Sequence, residues 1–80
     1  MNLVEITWLD AEEYGDIGWN SLKDMKAYSK KPCPKMRTVG YILFKDETHI
    51  AVVSTIGKKD CSSVNKIPCE FIIKIDHLKN

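Results

Sequence analysis

No apolar run in this chain approaches the roughly 20 residues that a membrane-crossing helix needs, so no such helix is expected. The opening stretch, MNLVEITWLD, holds neither the basic residues nor the long apolar segment of a secretion signal. The expectation is a protein that works in a cytoplasm. Cysteine is scarce and odd in number: Cys33, Cys61 and Cys69. Without a secretion signal, that count reads as free thiols rather than a disulfide frame. Cys61, Cys69, His49 and His77 supply enough donors for a zinc site on paper, but no C-x-x-C or H-x-x-x-H spacing groups them. No metal and no cofactor is expected. G-x-S-x-G, H-E-x-x-H and phosphate-loop motifs are all missing. A nucleophile needs a base within reach, and His49 and His77 both fall at expected exposed positions. Nothing points to an enzyme.

Residues 1–20 also lack Lys and Arg altogether, while they hold Glu5, Asp10, Glu12, Glu13 and Asp16. The next segment reverses the sign: Lys23, Lys26, Lys30, Lys31, Lys35 and Arg37 stand against Asp24 alone. The net charge of the chain is only +1. The two segments either neutralise each other within the fold, or complement each other between subunits, or frame a site. The carboxylates of residues 10–16 lack the spacing of a calcium loop. Eighty residues make one domain, residues 1–80, near the size at which one core becomes marginal. Self-association is one source of extra stability, and a homo-oligomer is expected.

Turn signals divide the chain into short elements. Val4, Ile6 and Trp8 alternate with Glu5 and Thr7, which predicts a strand over 2–9 with the first three on its buried face. Gly15, Asp16 and Gly18 mark irregular chain. SLKD at 21–24 has the pattern of a capping box, and Leu22, Met25 and Tyr28 follow at helical spacing. A helix over 22–29 is predicted, stopped by Pro32 and Pro34. Strands are predicted at 36–45 and 49–56, joined through a tight DET turn, with Gly40 as a point of sharp bending. A short strand at 64–67, a 3₁₀ turn at 68–70 and a last strand at 71–78 complete the chain, the last with Phe71, Ile73 and Ile75 on one face. Five short bent strands close most economically as a small barrel, since closure removes open edges. A two-layer sheet with the helix on one face is the alternative.

VGYILFKDETHIAVVSTI followed by IPCEFIIKI resembles the SH3-like and Sm-like small barrels over residues 36–78. That resemblance implies a mainly β, five-stranded barrel, here with one short helix inserted between strands 1 and 2. Sm-like proteins carry a helix before the first strand and a short basic motif in their second half. Here the helix follows the first strand and Cys69-Glu70 stands after Pro68, so no RNA-binding residues are carried over. A second pattern spans most of the chain: Ile6-x-Trp8-x-Asp10-Ala11, Gly18-Trp19, Val39-Gly40-Tyr41, Ser54 and Ile67-Pro68. It resembles a family of small proteins of tailed bacteriophages. The resemblance implies a phage accessory protein in the cytoplasm of an infected bacterium, where such proteins inhibit host enzymes, counter defence systems or bind nucleic acid.

Trp8 ends a strand and Trp19 begins the helix, so the loop between them is able to bring both rings to one side of the barrel. They are otherwise core residues capping its ends. An aromatic slot beside Asp10 suits a planar base, with the carboxylate accepting from an amino or hydroxyl group and the ring supplying stacking. Lys35 and Arg37 are placed to hold a phosphate, Tyr41 adds a ring, and Ser54 and Thr55 add hydroxyls. The expectation is a non-enzymatic binding protein that sequesters a small nucleotide-type ligand. Two alternatives stand: an inhibitor that docks on a host protein through its acidic loop, and a nucleic-acid-binding module.

Overall fold

The computed structural model describes residues 2–79. The elements are β1 (Leu3–Leu9), α1 (Leu22–Ser29), β2 (Lys35–Lys45), β3 (His49–Val53), β4 (Asn65–Pro68), a 3₁₀ turn (Cys69–Phe71) and β5 (Ile72–His77). All strand pairings are antiparallel, in the order β4-β3-β2-β1-β5. The 3₁₀ turn carries the chain from one edge strand to the other, and the sheet curls into the small five-stranded barrel of the SH3-like and Sm-like kind. No helix among the described residues is long and apolar enough to cross a membrane.

Alternation along β1 puts Val4 and Ile6 wholly inside. They meet Ile50, Val52 and Ile67, and Trp8, Ile42, Ile72 and Ile75 pack around this centre. Two irregularities bend the sheet. In β2, Leu43 is the extra residue between Ile42, opposite Val52, and Phe44, opposite Ala51. In β5, Ile73 is the extra residue between Ile72, opposite Trp8, and Lys74, opposite Thr7. This second bulge corrects the expected facing of the last strand. Ile72 and Ile75, three apart, both reach the core, while Phe71 and Ile73 lie exposed. Gly40 packs its backbone against β3, and a Cβ there would stand 2.8 Å from the Val53 carbonyl oxygen.

The strand expected at 49–56 ends at Val53. Beyond it the Ser62 hydroxyl accepts from the amides of Ser54 and Thr55, each at 3.1 Å, and so takes the donors that a neighbouring strand would have used. The chain turns back through an Ile56–Cys61 bridge. The helix keeps its expected bounds. Ser21 caps it by accepting from the Asp24 amide, and Leu22–Ser29 contains no β-branched residue.

The helix does not lie on the barrel. None of its residues is buried, and all the extensive packing between elements is strand against strand. Residues 10–34 form an arm whose root is pinned where the Asp10 amide donates to the Pro34 carbonyl at 2.9 Å. The radius of gyration is 16.7 Å, against about 12 Å for a compact chain of this length. The extents are 52 × 24 × 21 Å, as a barrel with a projecting arm requires.

Candidate functional site

The arm holds itself together with few residues. Asn20 closes a turn by accepting from the Asp16 amide at 2.9 Å and donating to the Asp16 carbonyl at 3.0 Å. The chain enters that turn through Gly15 and Gly18 at φ +124° and +104°, a region costly for any side chain. The loop is then fastened to the helix by two rings. Tyr14 stacks on Tyr28 with centroids 4.0 Å apart and planes 13° from parallel. The Lys31 ammonium sits 5.5 Å from the Tyr28 ring centre.

Between loop and helix lies an open groove of about 740 Å³. That volume falls within the range of about 300–1,000 Å³ common for small-ligand sites. Tyr14, Trp19 and Tyr28 give it aromatic surface, Glu13, Asp16 and Asp24 give it carboxylates, and Lys31 gives it a cation. Trp19 is 100% exposed. Planar aromatic faces beside carboxylate acceptors suit a flat molecule that carries amino or hydroxyl donors.

The eight residues singled out from the sequence occupy separate places. Trp8 points into the barrel, packs on the core and donates its indole N–H to the Thr38 hydroxyl at 2.9 Å. Lys35, Arg37 and Tyr41 alternate on β2 with Thr38, Gly40 and Ile42, so they share the outer face, away from Trp8. Arg37 is already engaged, donating to both Glu5 oxygens at 3.1 and 3.0 Å. Ser54 and Thr55 lie in the loop after β3. Asp10 is at the arm's root and Trp19 is out on the arm. Of the eight, Trp19 alone lines the groove. The expected approach of the two tryptophans is not made, because one serves the barrel and the other the arm.

Of the groove's other aromatic residues, Tyr14 has no place in the sequence reading, while Tyr28 enters it as part of the helical spacing. One signal was available. Met25 and Tyr28, three apart on one helix face, can take a facing loop, whereas Leu22 stands on the outer face with Lys23, Lys26 and Lys30.

A second polar cluster lies at the β2–β3 turn. The Asp46 carboxylate accepts from the Thr48 hydroxyl at 2.7 Å, from the Thr48 amide at 2.8 Å and from the His49 amide at 3.1 Å. The Thr48 hydroxyl first, then these two amides, holds the Asp46 carboxyl below its ordinary pKa of 3.8. The Thr48 hydroxyl also shares a hydrogen bond of 2.7 Å with His49 Nδ1. Three hydrogen bonds onto one carboxylate make this an Asx-type turn, a structural clasp. Cys33, Cys61 and Cys69 are unpaired. Among the described residues no three metal-ligating side chains come together. No protein-family model, curated protein or solved structure matches the chain.

Proposed function

We propose that this is a non-enzymatic binding protein, a rigid small barrel that presents a ligand groove on its arm. The supporting observation is the groove itself, with three aromatic rings, carboxylate acceptors and Lys31 around about 740 Å³ of open space. The ligand class it suits is a compact nucleotide-type molecule. A base would stack on Trp19, its amino group would donate to Asp16 or Asp24, and Lys31 would meet a phosphate. Together with the resemblance to small tailed-phage proteins, the reading is sequestration of a nucleotide-type signal in an infected bacterium. The chemistry is the one expected from the sequence, carried by Trp19 and otherwise by different residues.

The test is a thermal-shift screen against linear and cyclic nucleotides, ADP-ribose derivatives and short oligonucleotides. A ligand at about 100 times its Kd adds roughly 2.7 kcal/mol. In a domain of this size that is on the order of 10–20 °C in Tm. Trp19→Ala and Lys31→Ala should remove the shift, and Asp10→Ala should leave it. Loss of the shift in Asp10→Ala with full retention in Trp19→Ala would return the site to the barrel. A flat screen would overturn the small-ligand reading in favour of a protein target for the acidic loop. Binding confined to oligonucleotides and steeply weakened by salt would favour the nucleic-acid module.

A further inference from the structure

The arm carries two features of opposite charge that form no ion pair with each other among the described residues. The first is a projection: Ile17 stands fully in water on a loop that also bears Glu12, Glu13 and Asp16. The second is a shallow, open hollow on the outer helix surface, lined by Leu22, Ala27, Lys23, Lys26 and Lys30, all of them exposed. The Lys and Arg ion pairs among the described residues are Arg37–Glu5 and Lys74–Asp76. None of the projection's carboxylates and none of the hollow's lysines takes part. Of the segregated charge of the sequence, Glu5 and Arg37 pair inside the chain, while the carboxylates and lysines of the arm form no ion pair among the described residues.

We infer that the arm is a self-association surface, on which the apolar projection of one copy seats in the lysine-rimmed hollow of a second copy. A two-fold axis satisfies both copies at once, since each offers one projection and one hollow. Acid meets base at both contacts, and Ile17 and Leu22 leave water together. A foreign basic protein would use only the projection and would leave the hollow empty.

The test is the mass of the full chain by sedimentation equilibrium at about 100 μM, a concentration at which even weak specific pairs form. Two charge-reversed variants accompany the wild type: Glu12→Lys/Glu13→Lys/Asp16→Lys and Lys23→Glu/Lys26→Glu/Lys30→Glu. The Asn20 clasp uses only the backbone of Asp16, so the first variant keeps it. The wild type is expected to be a dimer, each variant alone a monomer, and an equimolar mixture of the two variants a dimer again. Far-UV circular dichroism of each variant checks that the barrel is intact. A monomeric wild type would overturn the inference. So would variants that dimerise as well as the wild type, or a mixture that stays monomeric. Association is read without ligand, so this result and the groove's ligand binding stand or fall separately.

Discussion

An alanine at Gly40 would place its Cβ 2.8 Å from the Val53 carbonyl oxygen and 3.2 Å from the Val52 Cβ. Both obstacles belong to a paired, buried strand that has no free direction in which to move. Gly40→Ala should therefore cost about 1–3 kcal/mol, the usual range for overpacking. A denaturation midpoint unchanged from wild type would refute this account of the glycine. Asp46 is a residue of the opposite kind, exposed and held chiefly by hydrogen bonds. Its carboxyl titrates lower in the folded protein than in the unfolded chain, so the folded state prefers it ionised. That contribution is complete above the ordinary carboxylate pKa and is lost as pH falls through the lowered folded value. Asp46→Asn should thus melt below wild type at about pH 6, with the gap closing toward about pH 2. A gap independent of pH would mean that charge has no part in the turn. Both residues were visible in the sequence, Gly40 as a bend and DET as a turn. Their partners across the sheet were not, because register cannot be read from one strand.

At the scale of elements, the helix was the most legible part. Its cap, its composition and its stopping prolines are all local, and local signals survive without tertiary context. The last strand was the least legible. A bulge at Ile73 shifts the phase of alternation, and the bulge arises from pairing with β1 rather than from anything within β5. The arm yields the third prediction. Its two ends already form a hydrogen-bonded pair at Asp10 and Pro34, and no arm residue belongs to the core. Replacing residues 11–33 by a short Gly-Asn turn should leave a barrel that folds and melts cooperatively, checked by circular dichroism and amide dispersion in NMR spectra. Loss of the cooperative transition would show that the arm is part of the folding unit. The same variant should neither dimerise nor bind the groove's ligand, since both surfaces leave with the arm.

At the scale of the whole molecule, division of labour accounts for the elongated shape. The barrel curls around a small aliphatic centre of Val4, Ile6, Ile50, Val52 and Ile67. The arm adds residues without adding to that centre, leaving the folded unit close to the lower limit of independent stability. The aromatic groove and the charged projection both lie on the arm. Binding a ligand or a second copy would add stability through linkage, which the small core has reason to need.

The sequence by itself determined the alternation of the first strand, the capped helix, the tight turn and the separation of acidic from basic charge. Each is a matter of spacing between near neighbours, which propensity and periodicity decide. Only the tertiary structure decided which residues meet. It sent Trp8 into the barrel and Trp19 into water, turned Lys35, Arg37 and Tyr41 to the outer face of β2, and paired Tyr14 with Tyr28. Those outcomes depend on strand register and on where the arm leaves the barrel. Both are set by long-range pairing, and no local pattern of residues encodes either.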